Sequence, residues 1–241
     1  RLILPLGSKL NKIGNWAFSE CTSLQEVDLS EATCLTILGS EPFYKCSALQ
    51  TVCFPPSLES IGFCAFNKCI MLETVSIPNG SKLKKIGGGA FTSCHCLQQL
   101  DLSQATDLAQ LGARSFQHCS RLHTLFLPLA LQEIGDHAFS LCRRLLQIQL
   151  PPSLRSVGRE AFSDCQKLKR VQLGSIRLLS KSIMGNSIFS RCDSLDVLEY
   201  PSSEQLPFVL LPHLLGNLDR LGAGDVKIRH NCVFSFLKER A

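Results

Sequence analysis

Residues 61–78 read IGFCAFNKCIMLETVSIP, and this frame of Gly, Phe, Cys, Leu and a final apolar alternation occurs eight times in the 241-residue chain. Successive copies begin 23, 25 or 27 residues apart. A fixed period in this range is typical of a solenoid, because one repeat cannot bury its apolar face alone and neighbouring repeats must stack. The positions that never vary among the copies are Gly14, Gly39, Gly62, Gly87, Gly112, Gly135, Gly158 and Gly185; Phe18, Phe43, Phe66, Phe91, Phe116, Phe139, Phe162 and Phe189; and Cys21, Cys46, Cys69, Cys94, Cys119, Cys142, Cys165 and Cys192, which we call the cysteine ladder.

The two halves of the frame predict different local structures. In the second half, Leu72, Val75 and Ile77 end in an apolar alternation with the period of two that is typical of a β-strand. Pro78 follows, and because proline has no amide hydrogen to donate, it ends the strand. In the first half, the apolar residues of the segment 62–69 are spaced i, i+3, i+4 and i+7, which predicts a short α- or 3₁₀-helical segment.

The frame resembles the BspA-type leucine-rich repeat, Ile-Gly-x-x-Ala-Phe-x-x-Cys-x-x-Leu-x-x-Val-x-Leu-Pro, over about residues 1–201. The resemblance implies an α/β solenoid: a right-handed coil with a parallel β-sheet on the concave side and short α or 3₁₀ segments on the convex side. It also implies an adhesion or interaction module, often secreted or at the cell surface. The last copy departs from the pattern, since Lys181 stands at an inward Leu position and Ile188 replaces Ala, which predicts a distorted or capping coil.

The chain divides at residue 201, where the frame stops. We expect residues 1–201 to form eight full repeats preceded by the strand end of a ninth, and we interpret the chain as a fragment for that reason. We expect residues 202–241 to form a C-terminal cap, because the last coil of a solenoid needs a cover with a polar outer side. Within this cap, residues 225–230 alternate like a strand. The alternative is that the tail is a docking segment for a partner.

Two further features concern the links between copies. A second period of 73 residues relates Gly14 to Gly87 and Gly39 to Gly112, which indicates that a unit of three coils has been duplicated. The longest link covers residues 174–183. Insertions in solenoids are often on the binding face, so this link is either a binding loop or an ordinary surface loop.

Composition limits the possible partners. The chain carries 25 Lys and Arg against 20 Asp and Glu, a net charge of +5, and no run of Lys or Arg is longer than two. Nucleic-acid binding requires a clustered basic stripe with aromatic residues, so we predict no nucleic-acid partner. The longest apolar stretch, residues 206–218, is too short for a bilayer and contains Pro212, so we expect no membrane span.

The chain contains 13 cysteines, eight of which belong to the cysteine ladder. We expect the ladder thiols to be buried as small apolar groups with a weak donor. Stacked positions about 5 Å apart would permit disulfides. The odd total and the lack of paired spacing favour free thiols and therefore a reducing compartment, whereas the family resemblance allows the cell surface or secretion. Cys53, on the outward side of its strand, is the thiol that we expect to be most exposed.

No enzyme motif is present. None of the six His residues lies in a His-Glu-x-x-His motif, and there is no Gly-x-Ser-x-Gly motif or phosphate-binding glycine loop. The strongest candidate for a metal site is Cys94-His95-Cys96 beside His118-Cys119 one coil away. Because Cys94 and Cys119 are predicted to point inward, four converging ligands for zinc are not expected. We therefore predict no catalytic residue, no metal and no cofactor.

The remaining candidate site is a row of side chains that flank the inward residue of each strand. Phe126 is the one aromatic residue in it and is a candidate binding anchor, although isolated exposed apolar residues are also normal. The members expected to contact a partner, which we call the outward row, are Glu26, Asp28, Thr51, Gln99, Asp101, Thr124, Phe126, Gln147, Gln149, Arg170 and Gln172. The remaining solvent-facing positions are Cys53, Thr74, Ser76, Val197 and Glu199.

Two functions remain open. The first is a non-catalytic protein–protein interaction module that binds an extended protein surface or peptide on the concave sheet. The second is a rigid accessory subunit of a larger assembly, held by its C-terminal tail or its convex side. The sequence predicts neither the partner nor the oligomeric state.

Overall fold

The computed structural model describes residues 1–175 and 183–200, together with the backbone of 227–230. Apart from 227–230, the predicted cap lies outside the described residues, as does most of the 174–183 link, including Lys181. The described chain forms a solenoid of about eight turns built from parallel strands. Each coil of the solenoid contributes one strand to each of two rows. A segment of backbone turns completes the coil.

The first row, which we call the long-strand sheet, carries the apolar alternation. Its strands are parallel, and those that pair are in register, so that Val52 lies between Val27 and Val75 in the core. The alternation predicted from sequence is thereby confirmed, as is the strand expected near 225–230. The strands are β1 Leu2–Ile3, β3 Glu26–Asp28, β5 Thr51–Cys53, β7 Thr74–Ser76, β9 Gln99–Asp101, β11 Thr124–Phe126, β13 Gln147–Leu150, β15 Arg170–Leu173, β16 Val197–Tyr200 and β17 Lys227–His230.

The second row is a parallel sheet of seven two-residue strands, the short-strand sheet. In each strand the second residue is buried and the first points outward, as Lys12 and Ile13 do. The strands are β2 Lys12–Ile13, β4 Ile37–Leu38, β6 Ser60–Ile61, β8 Lys85–Ile86, β10 Gln110–Leu111, β12 Glu133–Ile134 and β14 Ser156–Val157.

The predicted helical segments are wrong: the described residues contain turns there and no helix. The second and sixth residues after each frame glycine have positive φ, as Trp16 (61°) and Glu20 (60°) do. Their amides donate to the next coil, from Trp16 to the carbonyl of Ser40 (3.0 Å) and from Glu20 to that of Tyr44 (2.7 Å). An α-helix needs its amides for bonds to residue i−4. Here every second amide instead donates to the next coil. The turn segment therefore adds to the hydrogen bonds that join neighbouring coils.

The frame phenylalanines form the predicted inner column. Their rings stack nearly parallel, with centroids 5.1 Å apart between Phe91 and Phe116 and 5.9 Å apart between Phe162 and Phe189. Phe43 to Phe189 are fully buried at the frame position, whereas Phe18, in the first coil, is half-buried. Each ring therefore belongs to an interior shared by two coils.

The cysteine ladder runs beside the rings with free thiols, as predicted. From Cys46 to Cys192, each thiol donates to the carbonyl oxygen of the frame phenylalanine in the preceding coil at 3.1–3.4 Å. Burial raises the pKa of Cys46 to about 11 and that of Cys119 to about 12. Cys21, in the first coil, is exposed. All twelve cysteines in the described residues are unbridged.

Candidate binding face

The outward row lies on the long-strand sheet, on the first and third residues of its strands. The alternation of buried and solvent-facing residues places every predicted member on the solvent side. The members differ, however, in how far they are exposed. Val197 is the exception among the other predicted positions, because it is only 8% exposed. The exposed members are Gln99, Asp101, Phe126, Gln147, Gln149 and Arg170, and the half-buried ones are Glu26, Asp28, Thr51, Thr124 and Gln172.

Hydrogen bonding divides the row into three blocks. The described strands pair as β1-β3-β5-β7, β9-β11 and β13-β15-β16-β17. Phe126 lies opposite Asp101 in the central block, and Gln149 lies opposite Gln172 in the C-terminal block. The predicted residues are therefore brought together in register within each block.

The acidic members of the row are partly engaged within the protein. The Asp28 carboxylate accepts the amide of Ser30 at 3.0 Å, and the Asp101 carboxylate accepts that of Ser103 at 2.8 Å. The two pairs are 73 residues apart, in agreement with the predicted duplication. Glu26 pairs with Arg1 at 2.8 Å. These carboxylates hold the ends of strands as well as facing solvent, which reduces their availability to a partner.

Phe126 is the prominent apolar group of the row. Its side chain is 55% exposed, and it has no ring contact with any described residue. The amides of Gln147 and Gln149 are exposed on the next coil. An exposed aromatic ring beside amide groups, which both donate and accept hydrogen bonds, offers apolar area together with polar contacts.

The structure also brings together a group of cations that sequence reasoning missed, since no run of Lys or Arg is longer than two residues. Four positions of each copy are relevant: the two residues directly after the ladder cysteine, and the two residues directly after the buried leucine that comes next. These four positions stack from coil to coil. In the fifth to seventh coils, six of these twelve positions are basic. The six residues, which we call the basic edge, are Arg121, Arg143, Arg144, Lys167, Lys169 and Arg170.

The histidines and cysteines near residue 95 do not converge. The rings of His95 and His118 meet edge to face with centroids 4.7 Å apart, and His95 Nδ1 donates to the His118 carbonyl at 3.1 Å. Burial, followed by the charges of His95 and Arg143, lowers the pKa of His118. The thiols of Cys94 and Cys119 point to backbone carbonyls in the interior. Within the described ranges, no three potential ligands lie together.

Cys53 is less exposed than predicted. It is half-buried, whereas Cys21 and Cys34 are exposed. Burial is the main cause that raises the pKa of the Cys53 thiol, and the negative charges of Asp28 and Glu26 add to it. Less of the Cys53 thiol is therefore in the nucleophilic thiolate form at neutral pH than in an unperturbed thiol.

A shallow depression of about 260 Å³ lies on the short-strand sheet. Lys85, Gln110, Glu133 and Ser156 line it, and the Gln110 amide donates to the Glu133 carboxylate at 3.1 Å. None of the predicted site residues lies there. In the part of the chain that the structure describes, no helix has the length and apolarity to cross a membrane.

Comparisons with known proteins identify the repeat. The model of the BspA type leucine rich repeat region matches six copies over residues 3–122 and 109–206. Among curated proteins, no sequence matches the chain.

Two solved structures share the fold, and a third matches with a TM-score below 0.5. A leucine rich repeat protein from T. pallidum is 24% identical and covers 93% of this chain and 94% of its own, with a TM-score of 0.65. A leucine-rich repeat protein from Bacteroides ovatus is 20% identical over 95% of this chain and 68% of that one, with a TM-score of 0.63. A leucine rich cell surface protein from Faecalibacterium prausnitzii is 19% identical, with a TM-score of 0.41, over 92% of this chain and 77% of that one. The match of the family model across most of the sequence shows that the chain belongs to the BspA type leucine rich repeat family.

Proposed function

We propose that this chain is a non-catalytic protein-interaction module whose outward row binds an extended segment of a partner protein. The observation that carries the proposal is the side chain of Phe126, 55% exposed in the middle of the row. Large aromatic groups of this kind dominate the binding energy of many protein interfaces.

The rigid backbone under the row supports this function. Strands β13 and β15 pair over four consecutive residues, from Gln147 opposite Arg170 to Leu150 opposite Leu173. A surface that is ordered before binding loses little conformational entropy on association, and this favours affinity. Repeats that stack in register also suit an extended partner, because equivalent side chains recur at regular intervals along the solenoid.

Selection from a displayed peptide library tests the proposal. Peptides would be selected on the wild-type protein and then measured against Phe126→Ala and Phe63→Ala. Phe63 is the matched control, since it is 56% exposed but lies in the turn after Gly62. We expect Phe126→Ala to weaken binding of the selected peptides by about tenfold or more and Phe63→Ala to leave it unchanged. Equal binding by the wild type and Phe126→Ala would contradict the proposal.

One observation favours a second function, that of a rigid accessory subunit held by its tail. Strand Lys227–His230, from the segment after the repeats, pairs in parallel with Val197–Tyr200. We infer from this pairing that the chain after the repeats can link the solenoid to an assembly. Deleting residues 231–241 tests this function: loss of assembly with an unchanged melting temperature supports it, and retained assembly contradicts it.

We propose that the protein occupies a reducing compartment, which its free thiols favour, whereas the family resemblance allows the cell surface or secretion. The twelve described cysteines are unbridged, and Cys21 and Cys34 are exposed. Oxidising compartments favour disulfides. Quantifying free thiols in the protein isolated from its natural source under alkylating conditions tests the inference, and a disulfide at Cys21 or Cys34 would contradict it.

A further inference from the structure

The cations of the basic edge lie close together on adjacent coils. Strands β13 and β15 are in register, with Gln147 opposite Arg170. This register places Arg144 beside Lys167, each three residues before its strand begins. The amide of Lys167 donates to the carbonyl of Arg143 at 3.2 Å. Because neighbouring strands lie about 4.8 Å apart, several like charges share a surface about 10 Å wide.

Most of these cations are not neutralised within the described protein. Arg170 lies 3.6 Å from a carboxylate oxygen of Glu199. The other five cations have no ion pair with any described residue, and all six side chains are exposed. Like charges at this spacing repel one another, so the arrangement does not stabilise the fold. An anionic group placed among them would remove the repulsion.

The basic edge is bounded at both ends. At the equivalent four positions of the first four coils there is no Lys or Arg, and Glu26 and Glu73 are the charged residues. In the eighth coil the equivalent positions carry Asp193 and Asp196. A long polyanion following the solenoid would meet these carboxylates beyond the cations. The charge pattern therefore fits a short anionic segment.

An apolar side chain lies among the cations. Leu146 is 47% exposed and occupies the frame position that Lys169 occupies on the next coil. The amide of Lys169 donates to the Leu146 carbonyl at 2.9 Å, so the two residues are direct neighbours. A peptide that alternates carboxylates with an apolar residue matches this arrangement, whereas an oligonucleotide backbone has no comparable aliphatic group.

We propose that the basic edge binds a short acidic peptide segment of a partner protein. Carboxylates of the segment would pair with Arg144, Lys167 and Lys169, and an apolar side chain would contact Leu146. This inference goes beyond the proposed function, because Arg144, Lys167 and Lys169 precede the strands and do not belong to the outward row, so they can bind whether or not Phe126 contacts a partner. Its electrostatic part predicts affinity that falls as salt is added.

Fluorescence anisotropy with a labelled Glu-Asp-Leu-Glu-Asp-Glu peptide tests the proposal. The test variant is Arg144→Glu/Lys167→Glu/Lys169→Glu. The matched control is Lys12→Glu/Lys82→Glu/Lys85→Glu, which changes net charge equally at exposed residues elsewhere. We expect the test variant to lose about tenfold or more in affinity and the control to stay within about threefold. Phe126→Ala should bind this peptide like the wild type, which separates this proposal from that for the outward row.

Three results would overturn the proposal. The first is no binding of the peptide by the wild type at low salt, and the second is an equal loss in the test and control variants. The third is tighter binding of a single-stranded oligonucleotide of the same charge than of the peptide, which would assign the edge to nucleic acid. If circular dichroism shows that charge reversal prevents folding, Arg144→Gln/Lys167→Gln/Lys169→Gln replaces the test variant. It is also expected to bind the peptide more weakly than the wild type.

Discussion

The thiol of Cys119 donates to the carbonyl oxygen of Phe91 in the preceding coil, with the sulfur 3.3 Å from the oxygen. The same oxygen accepts the amide of Cys94 from its own coil at 3.3 Å. The ladder thiol is thus a second donor to a buried carbonyl and fills the small space beside the phenylalanine column. A cysteine meets both requirements, because it is compact, largely apolar and a weak donor.

Removing this thiol should destabilise the protein. We expect Cys119→Ala to lower the free energy of unfolding by about 1–2 kcal/mol, from the lost packing and the lost hydrogen bond. Cys21→Ala is the control, since Cys21 is exposed, and it should change stability by less than about 0.5 kcal/mol. Urea denaturation followed by circular dichroism measures both. Equal stability of the two variants would show that the ladder thiols contribute nothing.

Alkaline pH should destabilise the fold through the same thiol. Burial raises the pKa of Cys119 to about 12 from an ordinary value of 9.0. Between these values the unfolded chain has lost a proton that the folded chain retains, so stability is full below about pH 9 and falls as pH rises towards 12, by about 1.4 kcal/mol per pH unit for one thiol.

The measurement compares urea denaturation of the wild type and Cys119→Ala at about pH 8 and about pH 10. The wild type should lose about 1–2 kcal/mol more than the variant over this interval. An identical pH dependence in both proteins would contradict the raised pKa.

The frame glycines allow the coils to approach closely. A Cβ on Gly62 would collide with the carbonyl group of Gly39 and lie 2.8 Å from the Leu38 carbonyl oxygen, whereas one on Gly14 would meet nothing within 4 Å. We expect Gly62→Ala to destabilise the protein by about 1–3 kcal/mol and Gly14→Ala to stay within about 0.5 kcal/mol. Thermal melts of the two variants test this, and a tolerated Gly62→Ala would mean that the coils are further apart than described.

Truncation of two phenylalanines in the fifth coil should affect the free energy of unfolding very differently. Phe116 is fully buried in the ring column, and Phe126 is 55% exposed. Phe116→Ala should cost about 3–5 kcal/mol, and Phe126→Ala less than about 0.5 kcal/mol. Chemical denaturation of both variants measures the difference. Unfolding of Phe126→Ala would place its ring in the core and refute the strand register.

The strands and the ring column were predictable from sequence because their signals are local and repeated. Val75 and Ile77 alternate with polar residues, and a phenylalanine recurs at one frame position in every copy. The turn segment was not predictable, because the inward spacing of Ala65, Phe66 and Cys69 is the same in a helix and in the observed turns. What distinguishes them is that the amides of Cys64 and Phe66 bond to the next coil, at 2.9 and 2.7 Å.

Part of the candidate site was also predictable, because the strand period is a local and repeated signal. The outward side of Phe126 follows from the strand period, but the half-burial of Cys53 and the burial of Val197 depend on neighbouring segments that the period does not describe. The basic edge was missed because Arg144 and Lys167 are far apart in the linear sequence. They lie 23 residues apart, one repeat, so alignment of the copies would have revealed the cluster.

Site-directed photocrosslinking tests most directly whether the outward row binds the partner. A photoreactive side chain would replace Gln147 or Ser156, which lie in the same coil on the outer sides of the long-strand and short-strand sheets and are both exposed. The probe would be a peptide selected on the wild-type protein. Crosslinking at Gln147 and none at Ser156 is the result that we predict; crosslinking at Ser156 with equal or higher yield, or none at Gln147, would contradict the proposed binding face.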